Sequence, residues 1–400
     1  MKKGYEAKRL LECSVMVSTG PFGSVLHKSD YVEEGVPLVN PINIVDDGIV
    51  ADSSMLVSDA TKQRLGKYIL KAGDIVVGRR GEIGRCAVVG EGEAGWVCGT
   101  GSFFIRPLPS MNPHFLAQII RSSSCRERLE KASTGTTMKN LSNATLGNLV
   151  VPVPPLSEQQ RIVGILDDAF DGIARSTANA QQNLRNARAL FESHLESVFT
   201  RCGDSPVVPI GDVAEVFDGP HATPKTVDAG PVFLGISALQ DGKINLGETR
   251  HVTLQDFRQW TRRVKPQSDD VVFSYETRLG QAAIIPEGLE CCLGRRMGLV
   301  RVNRKRVDPR FFVYQYISPP FRKFVDSKTV RGATVDRIAL KEFPSFPISL
   351  PSLSEQERMT NRLDKLRAET QRLESICRQK LAALGELKKS LLHQAFSGQL

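Results

Sequence analysis

A short motif in the middle of this chain recurs near its end, and the repetition constrains the fold more than any other feature. Residues 156–161 read LSEQQR, and residues 353–358 read LSEQER. The same offset of 197 residues matches Pro154 with Pro351 and Phe199 with Phe396. Upstream matches continue at slightly different offsets, as expected when equivalent loops differ in length. A repeat of this length indicates two homologous halves with the same fold.

The composition is that of an ordinary soluble protein with room for two or three hydrophobic cores. Of the 400 residues, 41% are hydrophobic, and the longest apolar runs fall far short of the ~18 residues that a membrane span requires. No apolar signal core follows Met1, so we expect a cytoplasmic protein without a membrane anchor. The eight cysteines include no Cys-x-x-Cys pair, which predicts reduced core thiols and no metal site.

Two segments that begin at the repeated motif have the pattern of long amphipathic helices. Their apolar residues recur mostly at spacings of three and four, which is typical of a heptad-like seam. At ~1.5 Å per residue, each helix would be a rigid spacer ~65 Å long. Gly164 and Gly172 cost ~1 kcal/mol each relative to Ala and argue against an unbroken first helix. The seam residues that we expect to pack are Leu166, Ile173, Leu184, Phe191, Leu363, Leu373, Leu384 and Leu391.

The two globular stretches combine short strands with helices. Runs rich in β-branched residues at 74–77, 86–89, 271–273 and 283–285 are bounded by Gly, Pro and Asp and predict strands. Helices are predicted over 115–132 and 311–325. The predicted fold class is therefore α+β, with two homologous α/β domains in tandem, each followed by a long helix. The helices should pack on each other or on a partner.

No catalytic motif accompanies these domains. The glycines of residues 73–78 have the spacing of a phosphate-binding loop, but Arg79 and Arg80 follow in place of the required lysine and hydroxyl. Residues 318–321 read SPPF and resemble the motif with which amino-methyltransferases bind a flipped base. Since no glycine-rich cofactor loop accompanies that motif, we interpret Pro319 and Pro320 as a break in a helical stretch. The six histidines are scattered singly and predict no metal site.

Basic side chains are concentrated in the predicted turns. The turn at 78–85 contains Arg79, Arg80 and Arg85, and the second half contains Arg295 and Arg296. Guanidinium groups suit phosphates and guanine edges, and the net charge of +9 favours a polyanionic partner. A single basic cluster is more often a solvated loop. Two similar domains held at a fixed separation, however, are what a split DNA site requires.

Several segments together resemble the specificity subunit of type I restriction-modification systems. Residues 154–162 (PPLSEQQRI) and 351–358 (PSLSEQER) resemble the openings of its two helical regions, and residues 390–400 (SLLHQAFSGQL) resemble its ending. Residues 20–24 (GPFGS) with 35–38 (GVPL), and residues 218–224 (DGPHATP), resemble the openings of its target-recognition domains. The combination and order of these segments cover essentially the whole chain.

The resemblance implies a non-catalytic subunit whose two target-recognition domains, at 1–155 and 201–352, bind the two halves of an asymmetric bipartite sequence in double-stranded DNA. The helical regions, at 156–200 and 353–400, would form an antiparallel coiled-coil spacer and dock two methylation subunits. Those subunits would bring S-adenosylmethionine. A separate restriction and translocase subunit would use ATP and Mg²⁺, and this chain would bind no cofactor.

The residues assigned to DNA are hypotheses based on side-chain chemistry in predicted loops. The candidates for one half-site are Arg79, Arg80, Arg85, Lys139 and Asn140. The candidates for the other half-site are Thr223, Lys225, Arg278, Arg295, Arg296 and Arg331.

Two other classes of protein remain open at this point. One is a standalone DNA-modifying methyltransferase with a cryptic cofactor site, which would bind S-adenosylmethionine without partners. The other is an interaction scaffold in which the helices matter and the globular domains bind protein, so that DNA affinity would show no steep salt dependence.

Overall fold

The computed structural model describes residues 5–21, 25–45, 48–133, 141–202, 205–332 and 335–400. The chain divides into two compact units, which we call unit 1 (Met1–Ala180 with Gln379–Leu400) and unit 2 (Gln181–Arg378). Each unit combines one globular stretch with part of each long helix. The division into four consecutive sequence segments stays a prediction.

Unit 1 begins with a globular stretch of short strands and helices and includes the first part of a long helix. Its strands are β1 (Glu6–Arg9), β2 (Ser14–Thr19), β3 (Tyr31–Val32), β4 (Val36–Val39), β5 (Ile44–Val45), β6 (Gly48–Ile49), β7 (Leu56–Val57), β8 (Ile75–Gly78), β9 (Cys86–Val88), β10 (Val97–Cys98), β11 (Ser102–Pro107) and β12 (Val150–Val153). Its helices are α1 (Asp59–Arg64), α2 (Pro113–Arg121), α3 (Ser123–Lys131), α4 (Asn143–Gly147) and the start of α5 (Leu156–Arg201).

Unit 2 repeats this order of elements, except that its described residues include no strand matching β3 and no α-helix matching α4. Its strands are β13 (Val207–Pro209), β14 (Ala214–Asp218), β15 (Val227–Leu234), β16 (Leu239–Gln240), β17 (Lys243–Ile244), β18 (Arg250–His251), β19 (Val271–Ser274), β20 (Ala282–Ile284), β21 (Cys291–Leu293), β22 (Met297–Val302) and β23 (Pro347–Ser349). Its helices are α6 (Leu254–Trp260), α7 (Pro309–Ile317), α8 (Pro319–Ser327) and the start of α9 (Leu353–Ser397), which ends in unit 1.

The sheets of the two units have matching topology. An antiparallel four-stranded sheet has the order β2-β11-β8-β9 in unit 1 and β14-β22-β19-β20 in unit 2. A second sheet contains one parallel pair, β4 with β10 or β15 with β21. A two-stranded sheet joins β1 to β12, or β13 to β23. The predicted fold class, two homologous α/β domains each followed by a long helix, is confirmed.

The central strands of the antiparallel sheets, β8 and β11 in unit 1 and β19 and β22 in unit 2, are buried on both faces, which explains the continuous apolar runs in the sequence. In unit 1, Ile75 and Val77 point into a core with Phe115 of α2, whereas Val76 points to the opposite core. This alternation follows from the two-residue period of a strand. Residues 271–273 divide in the same way between two cores of unit 2.

One prediction about the helices of the globular stretches is corrected. A single helix was predicted over 115–132, but α2 ends at Arg121, and Ser122 accepts a hydrogen bond from Cys125 N to cap α3. Ser318 caps α8 in the same way, so Pro319 opens a second helix at its first position, where proline is tolerated. The interpretation of the SPPF motif as a helix break is confirmed, and unit 1 has the same break without any proline.

A buried glutamine fixes the start of each long helix to its own globular stretch. Gln159 is fully buried, accepts a hydrogen bond from Asn112 N (2.8 Å) and donates to the carbonyl oxygen of Pro154 (2.9 Å). Gln356 makes the matching bonds to Asp308 N and to the carbonyl oxygen of Pro351, each 2.9 Å long. The fourth residue of the repeated motif is therefore a buried structural amide in the first turn of the long helix in both units.

The two long helices run antiparallel where they meet in unit 1. Arg161, near the start of α5, donates from Nη2 to the carbonyl oxygen of Leu400 (2.9 Å). Farther along α5, the Phe170 ring lies 4.9 Å from Nζ of Lys388, which is earlier in α9. The predicted seam residues of this unit are buried or partly buried: Leu166, Ile173, Leu384 and Leu391.

The helices are also antiparallel in unit 2. Arg188 Nε lies 3.3 Å from Glu374 Oε2, and the Arg367 guanidinium lies over the Phe191 ring at 5.7 Å. The predicted seam residues Leu184, Phe191 and Leu363 are buried or partly buried.

The predicted seam departs from the structure at Leu373. This side chain is 47% exposed, and the buried positions of α9 are Thr370 and Cys377 instead. Between Thr370 and Cys377, a heptad pattern can place the intermediate buried residue three or four positions after Thr370. In the structure it lies four positions on, at the partly buried Glu374. The expectation that Gly164 and Gly172 interrupt the first long helix is also wrong, because α5 is continuous from Leu156 to Arg201. A Cβ at Gly164 or Gly172 would meet open space.

The eight cysteines are buried thiols, as predicted. Burial raises the pKa of Cys125 and of Cys291 to about 12. These thiols therefore stay protonated at neutral pH and behave as small core residues.

Candidate nucleic-acid interface

Several loops leave the four-stranded sheet of unit 1 at one end. Gly78, the last residue of β8, pairs with Ser102, the first residue of β11, and the next residue of β11 pairs with Thr19 at the end of β2. The turn 79–85 and the segment 99–101 therefore emerge side by side, next to the chain that leaves β2. We call this end of the sheet, defined by these segments, the turn end of unit 1.

The turn end of unit 2 is built from the equivalent loops. Ser274, the last residue of β19, pairs with Met297 at the start of β22, and Asp218 at the end of β14 pairs with Gly298. The turn 275–281, the segment 294–296 and the loop 219–226 therefore emerge together. Residues 336–338 run beside the turn, with Ile338 N donating to the carbonyl oxygen of Tyr275 at 2.8 Å.

The three predicted arginines of unit 1 lie in its turn but differ in their surroundings. Arg79 Nε donates to the carbonyl oxygen of Leu141 at 3.1 Å, and burial lowers the pKa of this guanidinium. Arg85 is held by Glu82, which also pairs with Arg126 at 2.9 Å. Arg80 is exposed near the start of the turn and pairs with no carboxylate of the described residues. Of the three, Arg80 is therefore placed best to meet an external ligand.

Two further candidates, Lys139 and Asn140, lie outside the described residues, because the description stops at residue 133 and resumes at residue 141. Their assignment to a half-site stays a prediction.

The turn end of unit 2 brings together most of the candidates predicted for the second half. Arg278 is exposed and donates from Nη1 to the carbonyl oxygen of Ser237 at 3.3 Å. Arg296 Nε lies 2.8 Å from Glu276 Oε2. The remaining candidates have exposed side chains: Thr223 and Lys225 in the loop after β14, Arg295 before β22, and Arg331, 3.6 Å from Asp326, in the segment that leads to residues 336–338.

Sequence reasoning missed a polar network at this end of the sheet. Tyr275 donates from its hydroxyl to Asp218 Oδ1 at 2.9 Å, and His221 Nε2 lies 2.9 Å from the other carboxylate oxygen. Burial, followed by the bond to Asp218, raises the pKa of Tyr275, so its hydroxyl stays a donor. Arg263 lies 4.0 Å from the same carboxylate. The only signal for this network was the motif at 218–224, which was noted for its resemblance alone.

The described part of the chain contains no group of three or more His, Cys, Asp or Glu side chains that could hold a metal ion. Within the same ranges, no helix is both long and apolar enough to cross a membrane.

Comparisons with known proteins agree with the resemblance. A protein of Methanocaldococcus jannaschii named as the specificity subunit of type I restriction enzyme MjaX is 25% identical over 390 residues, which cover 92% of this chain and 87% of that protein. The specificity subunit of type I restriction enzyme EcoKI from Escherichia coli K12 is 23% identical over 328 residues, covering 76% and 69%.

Solved structures show the same fold. A chain from a structure described as the basis of complex assembly and conformational transition of the type I restriction-modification system matches with a TM-score of 0.79, 21% identity and coverage of 100% and 99%. The HsdS subunit from Thermoanaerobacter tengcongensis matches with a TM-score of 0.60, 20% identity and coverage of 100% and 98%.

The family model described as "Type I restriction modification DNA specificity domain" matches twice, at residues 28–185 and 204–381. The two matches fall on the two halves of the repeat and together span well over half of the sequence. The chain therefore belongs to the family of type I restriction-modification DNA specificity proteins.

Proposed function

We propose that this chain recognises an asymmetric bipartite sequence in double-stranded DNA, with one half-site bound at the turn end of each unit. The observation that carries the proposal is that equivalent loops leave equivalent sheets in both units and present cationic side chains there. Arg80 is exposed in one turn and Arg278 in the other. Two copies of one scaffold with different loop side chains are suited to two different half-sites.

The chemistry of these loops fits both kinds of DNA contact. Arginine forks bind phosphates and the O6 and N7 atoms of guanine, whereas Thr223 offers a hydroxyl suited to either a base edge or a phosphate. Phosphate contacts set the register of the protein on the duplex, and base contacts select the sequence. The turn ends thus provide groups for both tasks.

The long helices would dock two methylation subunits. In support of this, Leu373 and Ile376 of α9 are 47% and 49% exposed, and they lie on a side of the helix that its own unit leaves uncovered. Leu387 is exposed on the same helix at 46%. Large apolar side chains grouped on a solvent-facing helix are typical of protein interfaces.

The chemistry of the complex would reside on its other subunits. The methylation subunits would bind S-adenosylmethionine and transfer a methyl group to adenine N6, and a restriction subunit would use ATP and Mg²⁺ to translocate and cut DNA. This chain would be non-catalytic and would act in the cytoplasm. Its eight buried thiols suit a reducing compartment.

The test is a reconstitution of the chain with its methylation subunits, followed by DNA binding over a salt series and sequencing of the methylated adenines. We expect two short sequences separated by a constant gap. Contact with six to ten phosphates would reduce affinity by about 10³–10⁵ between about 50 and 200 mM salt. Binding of S-adenosylmethionine by the purified chain alone would favour the standalone methyltransferase, and salt-insensitive binding would favour the scaffold.

A further inference from the structure

Two residues at the turn end of unit 2 have backbone conformations that their side chains disfavour. Thr277 has φ = 68° and Arg296 has φ = 75°, both in the left-handed region. A Cβ atom makes this region unfavourable, and a β-branched residue such as threonine is found there least readily. Residues held in this way persist only where the surrounding structure forces them, and they cluster at functional sites.

Unit 1 has glycine at both equivalent positions. The pairing of the four-stranded sheets aligns Thr277 with Gly81, which has φ = 75°. It aligns Arg296 with Gly101, where a Cβ would lie 2.8 Å from Cδ of Pro41. The turn accepts glycine at the position of Thr277, so backbone geometry does not account for that side chain. Gly101 lies outside the left-handed region, so the conformation of Arg296 is specific to unit 2.

A third left-handed position has glycine in unit 1 and a residue that tolerates this conformation in unit 2. Asp269 has φ = 69° and corresponds to Gly73, which has φ = 83°. Aspartate tolerates the left-handed region because its short polar side chain bonds locally. Asp269 also lies before β19, at the opposite end of the sheet, where it pairs with Arg304 at 3.1 Å. It therefore serves as a control for backbone strain away from the turn end.

Thr277 lies at the surface, whereas Arg296 is partly buried, with 31% of its side chain exposed. Thr277 is exposed, its N–H donates to the carbonyl oxygen of Asp336 at 3.1 Å, and its hydroxyl bonds to no described residue. The carboxylate of Glu276, the residue before it, lies 2.8 Å from Arg296 Nε and orients the guanidinium. Tyr275 N donates to the carbonyl oxygen of Arg296 at 3.3 Å, so the turn 275–281 and the segment 294–296 are adjacent.

We propose that Thr277 and Arg296 determine the specificity of the half-site bound by unit 2, with Arg296 selecting a guanine and Thr277 a neighbouring base. An oriented guanidinium suits the O6 and N7 atoms of guanine, and threonine offers a hydroxyl and a methyl group for a base edge. The inference rests on the proposed function and adds which residues make sequence-selective contacts.

The experiment uses the full chain reconstituted with its methylation subunits and a panel of duplexes. The panel contains the methylated target and every single base-pair change in both half-sites. The variants are Thr277→Gly, Thr277→Asn, Arg296→Gly and the control Asp269→Gly. Asparagine tolerates the left-handed region, so Thr277→Asn changes the side chain while keeping the backbone. Thermal unfolding of each complex accompanies the binding data.

We expect Arg296→Gly to reduce discrimination about 5–150-fold at one base pair of one half-site, and Thr277→Gly to reduce it about 5-fold at an adjacent base pair. Thr277→Asn should change the preferred base there. The unfolding midpoints should stay within a few degrees of wild type, because relief of strain opposes the flexibility of glycine in the unfolded chain. Asp269→Gly should leave every preference unchanged.

Unchanged preferences in the Thr277 and Arg296 variants would overturn the inference, as would a uniform loss of affinity for all sequences, which indicates a phosphate contact. If the wild-type complex itself discriminates between no sequences in the panel, the proposed function fails instead.

Discussion

The turns 79–85 and 275–281 have the same backbone and nearly opposite surfaces. Gly84 and Gly280 have φ values of 82° and 78°, and at each a Cβ would lie 2.9 Å from the side chain of an equivalent arginine, Arg126 or Arg322. The charges are exchanged at two positions, since Arg80 corresponds to the partly buried Glu276 and the exposed Glu82 corresponds to the exposed Arg278. The comparison teaches that the scaffold restricts the buried positions and leaves the exposed ones to vary.

The two units share an ion pair with a buried carboxylate. Asp74 is almost completely buried and receives Arg106 through bonds of 2.8 and 2.6 Å. Asp270 and Arg301 form the same pair in unit 2, at 2.9 and 2.7 Å. Each carboxylate also accepts a backbone N–H at the entry to its strand. The two units should therefore respond alike when this pair is broken.

Removal of either carboxylate should have the largest effect on stability. Asp74→Ala and Asp270→Ala each leave a partly buried guanidinium without its counter-charge, which costs about 3–5 kcal/mol. Urea unfolding of the full chain should show that each variant lowers the free energy of unfolding of its own unit by a similar amount. Glu290→Ala, which breaks an exposed ion pair with Lys265, should cost less than about 1 kcal/mol. A large loss in only one unit would break the equivalence.

Substitution of the exposed arginines should affect recognition of a different half-site in each unit. We expect Arg80→Ala to lose about 1–3 kcal/mol at one base pair of the first half-site, and Arg278→Ala the same at the second half-site. The measurement is the affinity of the reconstituted complex for duplexes altered in one half-site at a time. Arg372→Ala, on an exposed face of α9, is the matched loss of charge and should leave both preferences unchanged. If Arg80→Ala changes neither preference nor affinity, its assignment is wrong.

Substitution of the left-handed turn glycines should destabilise both units equally, but less than removal of the buried carboxylates. Gly84→Ala and Gly280→Ala place a Cβ on a left-handed residue and should each cost about 1–2 kcal/mol. Gly92→Ala is a control, because a Cβ there meets nothing within 4 Å. Thermal unfolding would show equal decreases for the two turn variants. A neutral result in one unit would mean that its turn relaxes into another conformation.

The smallest difference between the turns should appear at acid pH. The hydrogen bond from Arg85, with Arg126 nearby, holds the pKa of Glu82 below its ordinary value of 4.5. A depressed folded-state pKa gives stabilisation that is present above pH 4.5 and is lost as the pH falls through the folded-state value. The carboxylate is half exposed, so the contribution is about 0–1 kcal/mol.

The measurement is the unfolding midpoint of wild type and Glu82→Gln between about pH 3 and pH 7. The wild-type advantage should shrink as the pH falls. The equivalent residue of unit 2 is Arg278, so that turn has no carboxylate at this position. An Arg278→Gln difference that changes with pH in the same way would contradict this assignment.

Much of the fold could be predicted because the sequence contains an internal repeat and the hydrophobic periodicities of helices and strands. The offset of the motif at 156 and 353 gave the two halves, and spacings of three and four gave both long helices. Two local details could not be predicted. Ser122 ends a helix without a proline, because a serine cap leaves little trace in the pattern. Leu373 fits a spacing of three, although packing on α5 selects Glu374.

The candidate interface was harder to predict, because its residues come together only through the register of the sheet. The basic residues of the turns could be recognised individually, but their pairing partners could not. Glu82 and Glu276 each hold an arginine that the sequence presents as available. A signal for the buried ion pair was present, since Asp74 and Arg106 both have charged equivalents in the second half.

Unit 2 is one uninterrupted segment of chain, whereas unit 1 is completed by Gln379–Leu400. Leu392 and Ala395 belong to the same core as Ile162, and the Phe396 ring lies 5.6 Å from that of Phe115. During translation at about 5–20 residues per second, the roughly 200 residues of unit 2 take about 10–40 s to emerge. During that interval the unit 1 core lacks the side chains of Leu392 and Ala395, so part of its apolar surface is uncovered. The half that is synthesised first is thus finished last.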